Sequence, residues 1–101
     1  KKQIDGPTDA VMNLGDMKAK YEAFGWKVIE LNGNNMQQVV DALNQARKGA
    51  HQGMPQLLLA HTEMGMGVDF MMGTHKWHGT APNDEQAANA LSQLEETLGD
   101  Y

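Results

Sequence analysis

The segment KWHGTAPND, Lys76 to Asp84, sets a tryptophan beside a histidine in a glycine-flanked loop, just ahead of a helix start. An imidazole in such a loop could donate to a phosphate oxygen or a carbonyl, and because it titrates near neutrality it could also pass a proton. The same His78 could equally be a surface histidine packed beside Trp77. Composition alone favours that second reading, because functional histidines with perturbed titration are a minority. His75 and His78 are three positions apart, but Gly73, Gly79 and Pro82 argue against a helix that would turn both toward one metal. No Asp or Glu lies between them as a further ligand, and even catalytic zinc needs a fuller protein ligand set than two histidines. Trp77 reads as a loop anchor. His51 and His61 show no constellation.

A second candidate is Glu63-Met64-Gly65-Met66-Gly67. It follows what reads as a buried parallel strand, at the carboxyl end, where open α/β sheets bind ligands. Its glycines could let a backbone approach a phosphate or adopt positive φ. Taken alone, a Gly-x-Gly is a flexible loop. No G-x-G-x-x-G opens a helix, so a Rossmann-type nucleotide site gains no support. The loop methionines Met64, Met66, Met71 and Met72 read as lining for an apolar cleft or as adaptable packing.

The elements that must position these loops follow from local signals. Residues 1–15 are turn-rich, with Asp5-Gly6-Pro7 as the strongest break. Asp16 should cap a short helix whose apolar face is Met17, Tyr21 and Phe24, with Gly25 ending it. Trp26 to Leu31 reads as a strand. Asn32 to Asn35 supply a turn and a cap, and Met36, Val39, Val40 and Leu43 then form a helical stripe expected to face a core. Arg47 and Lys48 suit the negative end of that helix, and Gly49 suits its stop. Gln56 to His61 carries an unbroken apolar run, as a strand covered on both faces would. A last helix begins at Asn83, with Gln86 placed to complete a capping box. Its stripe is Ala87, Leu91, Leu94 and Leu98, and Gly99 ends it. Strand, helix, strand at these lengths is a βαβ unit with a right-handed crossover. Two strands apolar on both faces cannot close a core alone, so the chain reads as part of a larger parallel sheet flanked by helices. The isolated species should be marginal or associate through an open edge.

The bulk numbers fit this picture. The chain has 101 residues, 41% hydrophobic and 21% charged, with net charge −5 and scattered basic residues. That is globular composition without the clustered Lys and Arg of a nucleic-acid footprint. No cysteine is present, which excludes disulfides and thiolate metal sites and fits a reducing cytoplasm. No apolar run approaches the roughly 20 residues of a membrane-spanning helix. The opening KKQIDG has no initiator Met and no element start, as a chain entered part-way would.

Five segments in order carry a resemblance: QIDGPTD (3–9), KYEAFGWKVIELNGNN (20–35), QLLLAHT (56–62), the GMG-V-F loop (65–70) and KWHGTAPND (76–84). Together they resemble transketolase, in the part of its thiamine-diphosphate-binding domain downstream of the metal motif. The W-H-G-x-A-P-N-D wording is most similar to the two-subunit bacterial form. On this resemblance residues 1–101 are the C-terminal portion of that α/β domain, an incomplete part of a thiamine-diphosphate-binding fold, and its subunit would end soon after the last helix.

The resemblance implies an enzyme that moves a two-carbon ketol unit between sugar phosphates with thiamine diphosphate and a divalent cation, usually Mg²⁺. It implies that His78 reaches the diphosphate and the substrate, and it reverses the balance in favour of a functional His78. It places Ile4 and Met64, with Gly65, at apolar and glycine positions beside the cofactor. The family's metal-binding Asn would fall one position before Lys1, and the main-chain carbonyl ligand would be that of Lys2. Two departures matter. Met64 and Met66 stand where two-subunit forms often have lysines, which removes two positive charges. The Gly-Asp-Gly start of the metal motif and the acidic residue that activates the cofactor are not in these 101 residues, so alone they should have no activity and at best weak cofactor affinity. Partners implied are the remaining domains or a C-terminal subunit, in a homodimer or heterotetramer. Two other readings stand beside this one: a related enzyme such as a deoxyxylulose-phosphate or dihydroxyacetone synthase, and a non-catalytic assembly module.

Overall fold

The computed structural model describes residues 2–95. In chain order these form β1 (Lys2–Gln3), β2 (Gly6–Pro7), α1 (Thr8–Val11), α2 (Met17–Ala23), β3 (Lys27–Asn32), α3 (Met36–Lys48), β4 (Gln56–His61), a 3-10 turn (Lys76–His78) and α4 (Asp84–Gln93). The centre is a parallel pair, β3 with β4, in register from Lys27 opposite Gln56 to Asn32 opposite His61. It is the α/β arrangement expected, a small parallel sheet flanked by helices. β1 and β2 make a separate antiparallel pair within the turn-rich opening, Lys2 opposite Pro7.

Alternation along β3 sends Ile29 and Leu31 to one face, where both are buried. There they meet Ala42, with Val39, Ala46 and Leu58 packed around them, so α3 closes this face. Glu30 points to the other face, where Lys18 of α2 reaches it at 3.0 Å. The caps stand where local chemistry placed them. Asp16 accepts the N–H of Ala19 at 2.9 Å, Asn35 accepts that of Gln38 at 3.0 Å, and Asn83 with Gln86 forms a capping box. Each satisfies helix donors that have no intrahelical partner.

Four expectations are corrected. The α3 stripe is not a core face as a whole: Met36 is 73% exposed and Leu43 53% exposed, with Val40 also exposed. Among the described residues the parallel sheet has two strands, too narrow to cover the stripe, so the buried line runs through Val39, Ala42 and Ala46 instead. Phe24 projects into solvent beyond the end of α2, while Tyr21 packs edge-on against Trp26 with ring centroids 5.5 Å apart. The first strand of the parallel pair, β3, starts at Lys27, not Trp26, because the Trp26 N–H is taken by the Tyr21 carbonyl at 3.0 Å and pairing begins with the Lys27 N–H donating to the Pro55 carbonyl. In α4, Leu91 and Leu94 are exposed and the helix ends at Gln93; Leu98 and Gly99 lie outside the described residues.

The body is flat, 52 × 37 × 16 Å, with a radius of gyration of 17.2 Å. A compact domain of about 100 residues would have a radius near 13 Å. Leu57, Leu58 and Leu59 are accordingly only half-buried, although their sequence suits a strand covered on both faces.

Candidate functional site

Both parallel strands end at the same edge, where the Gly33 N–H donates to the His61 carbonyl at 2.8 Å. Two clefts open there. One, of about 640 Å³, is lined by Glu30 to Asn32, Asn34, His61 to Glu63, and Met66. The other, of about 780 Å³, lies between the 8–18 segment and the Glu30 face of the sheet. Glu30, His61, Thr62 and Glu63 border both.

Within this edge Glu30 binds two cations or donors at once. Its Oε2 meets Lys18 Nζ at 3.0 Å, and its Oε1 stands 3.1 Å from His61 Nε2. The Lys18 hydrogen bond, followed by that of His61, holds the Glu30 carboxyl below its ordinary value, and the same Glu30 pairing raises Lys18. All three side chains are well exposed, so the network orders the edge more than it stabilises the fold. His61 therefore does have a constellation. No short motif could reveal it, because the pair depends on the β3–β4 register across distant residues.

The predicted site residues fall into two groups. Ile4 follows β1 and is 55% exposed. A Cβ built on Gly79 would lie 3.9 Å from Ile4 Cδ1, so Ile4 sits beside the His78-Gly79 peptide. His78 itself is exposed at the end of the 3-10 turn, its N–H bonded to the His75 carbonyl at 3.1 Å. It lines neither of the two clefts just described. Met64 and Gly65 belong to the second group, in the loop after β4. Gly65 has φ +71, and a Cβ there would come within 2.6 Å of Met71 Cβ and 2.8 Å of its carbonyl carbon. Only glycine fits that position. Met66, not Met64, lines a cleft.

One anchor joins the groups. Trp77 Nε1 donates to the Phe70 carbonyl at 3.1 Å, and the two rings meet edge-on at 5.3 Å. The loop is tied to α4 by Gln93, which accepts the Asp69 N–H at 2.8 Å and donates to its carboxylate at 2.9 Å. Lys2, the proposed carbonyl ligand, is paired opposite Pro7. A proline has no N–H to give, so that pairing leaves the Lys2 carbonyl unclaimed by its partner residue. Among the described residues no group of three or more His, Cys, Asp or Glu could hold a metal ion. No helix among them is long and apolar enough to cross a membrane.

The family described as "Transketolase, thiamine diphosphate binding domain" matches the chain over residues 1–99. The chain belongs to that family. It is 36% identical over 99 residues to one subunit of the apulose-4-phosphate transketolase of Phocaeicola vulgatus, a match covering 95% of this chain and 34% of the relative. It is 35% identical over 95 residues to the 6-deoxy-6-sulfo-D-fructose transketolase subunit SqwG of a Clostridium species, covering 94% and 34%. A transketolase of Sinorhizobium medicae is 32% identical over 91 residues, 90% of this chain and 12% of that protein. The chain thus spans about a third of the length of the first two relatives. As a member of this family it is part of a thiamine-diphosphate-binding domain.

Proposed function

We propose that the chain is the C-terminal portion of the diphosphate-binding domain of a transketolase, and that the assembled protein moves a two-carbon ketol unit from a ketose phosphate to an aldose phosphate. The observation that carries this is the meeting of Ile4 with Gly79, which sets an exposed apolar side chain against the loop of His78. Those residues fit an organic cofactor with an anionic tail: Ile4 offers an apolar flank, and His78 offers an imidazole donor at an exposed turn. Met64 and Gly65 are proposed to border the same cofactor from the loop after β4. When bound, thiamine diphosphate supplies carbanion stabilisation. His78 would orient the substrate by hydrogen bonding to its hydroxyl or carbonyl end, and could hold or pass a proton at its imidazole.

The described side chains do not fit the divalent cation, proposed as Mg²⁺, because they form no ligand cluster. The one contribution proposed from this chain is the Lys2 carbonyl. Two of the relatives are named as single subunits of their transketolases; by analogy this domain works beside a second subunit, within a homo-oligomer or heterotetramer. The cytoplasm is the proposed location, since the chain has no cysteine.

The test is kinetic. In the assembled enzyme, His78→Ala should raise KM for the sugar phosphate and lower kcat; unchanged constants would remove His78 from the site. The isolated 101 residues should show no transferase activity. Saturable binding of thiamine diphosphate to them at micromolar affinity would contradict the incomplete-site reading.

A further inference from the structure

The loop that carries His78 leaves the sheet through Glu63, and that residue is held through both its main chain and its side chain. Its main-chain N–H donates to Asn34 Oδ1 at 2.6 Å, and Asn34 belongs to the turn between β3 and α3. Its carboxylate Oε1 accepts the N–H of Gly73 at 2.9 Å. The Asn34 N–H in turn donates to Asn32 Oδ1 at 3.0 Å, which fixes the turn to the end of β3.

Between Glu63 and Gly73 the chain folds on itself. Val68 N–H bonds to the Gly65 carbonyl, and Met71 and Met72 N–H both bond to the Val68 carbonyl. Gly65 is pressed against Met71, and Val68 is 5% exposed. This segment is a closed ring whose two ends are joined by the Glu63 carboxylate. The Trp77 indole hangs on the ring through Phe70, and His78 follows Trp77 directly.

We propose that Glu63 is the positioning residue for His78: it clasps the ring of residues 63–73 to the carboxyl end of the sheet and so sets where the Trp77-His78 turn stands. The kinetic part of this inference rests on the functional reading of His78 given above. The physical basis is that a hydrogen bond to an ionised acceptor is shorter and stronger than a neutral one. Losing it also leaves the Gly73 N–H without that acceptor.

The experiment uses the full-length assembled protein, with hydrogen exchange followed by mass spectrometry and steady-state kinetics in parallel. In Glu63→Ala, peptides spanning 64–78 should exchange up to about tenfold faster, the scale of one net hydrogen bond. Peptides from β3 and α3 should be unchanged. Glu63→Gln keeps an acceptor oxygen without the charge and should restore most of the protection. Glu63→Ala should shift KM and kcat in the direction of His78→Ala, and the double variant should be no worse than His78→Ala alone. Unchanged exchange in Glu63→Ala overturns the clasp, and so do fully additive kinetic losses in the double variant. If exchange rises and Gln restores it while His78→Ala is kinetically silent, the clasp stands and only the reading of the site falls. Should Glu63→Ala fail to fold, Glu63→Leu keeps the bulk and removes the acceptor of the Gly73 N–H, and unchanged exchange of residues 64–78 there overturns the proposal.

Discussion

Ile4 and Gly79 are neighbours: a Cβ on Gly79 would stand 3.9 Å from Ile4 Cδ1, although one residue follows β1 and the other precedes α4. The contact is ordinary van der Waals distance, and Gly79 has φ −135, open to any residue. Gly79→Ala should therefore leave folding and thiamine diphosphate affinity of the assembled protein nearly unchanged. Gly79→Phe should cover or displace Ile4 and weaken that affinity. Calorimetric titration of both variants decides it, and an undiminished affinity in Gly79→Phe removes the Ile4–Gly79 rim from the cofactor site.

Gly65→Ala behaves in the opposite way. Its φ of +71 and the 2.6 Å approach to Met71 leave no room for a methyl group. A left-handed residue with a Cβ costs about 1–2 kcal/mol, before the clash is counted. Thermal melting of the assembled protein should fall for Gly65→Ala and not for Gly79→Ala. Equal melting temperatures would mean that the ring around Val68 is not rigid.

Legibility divides along a physical line. β4 is readable to the residue, and so are the caps at Asp16 and Asn83, while the cap of α3 is readable only to the 32–35 turn, because each signal lies within a few positions. The direction of the α3 stripe is readable too, but not what covers it. Periodicity fixes a face, whereas burial of Met36 and Leu43 depends on how many strands lie beneath. Glu30 with His61, and Glu63 with Asn34, depend on strand register and on the joining of distant turns, which no window of sequence contains. Ile4 and His78 are linked by family wording, not by spacing or charge.

That difference within one stripe yields a stability test. Ile29 and Leu31 are each 8% exposed and meet Ala42. Ile29→Ala should cost about 2–5 kcal/mol, enough to unfold a flat domain of this size. Leu43, exposed on the outer side of α3, should tolerate Ala within about 0.5 kcal/mol in the isolated chain. Urea denaturation of the two variants gives the comparison, and a large loss at Leu43 would mean that α3 is rotated from the position described. The same exposed line of Met36, Val40 and Leu43 should make the isolated chain associate. Val40→Lys should reduce that association in sedimentation velocity without lowering the melting temperature.

The edge network sets a pH dependence. The Glu30 carboxyl is held below its ordinary 4.5, first by the Lys18 hydrogen bond and then by His61. A depressed carboxyl contributes stability above its unfolded value and loses it as pH falls through the folded one. Lys18, raised from 10.5 by Glu30, contributes below that value and loses its contribution as pH rises past the raised one. The pairing is therefore intact across the neutral range. Because the groups are exposed, Glu30→Gln should change the melting temperature little at pH 7. Below pH 4.5 the wild-type chain should lose melting temperature more steeply than the variant, since only the wild type has this carboxylate to protonate. Parallel acid slopes for the two proteins would mean that Glu30 is not engaged by Lys18 and His61 in solution.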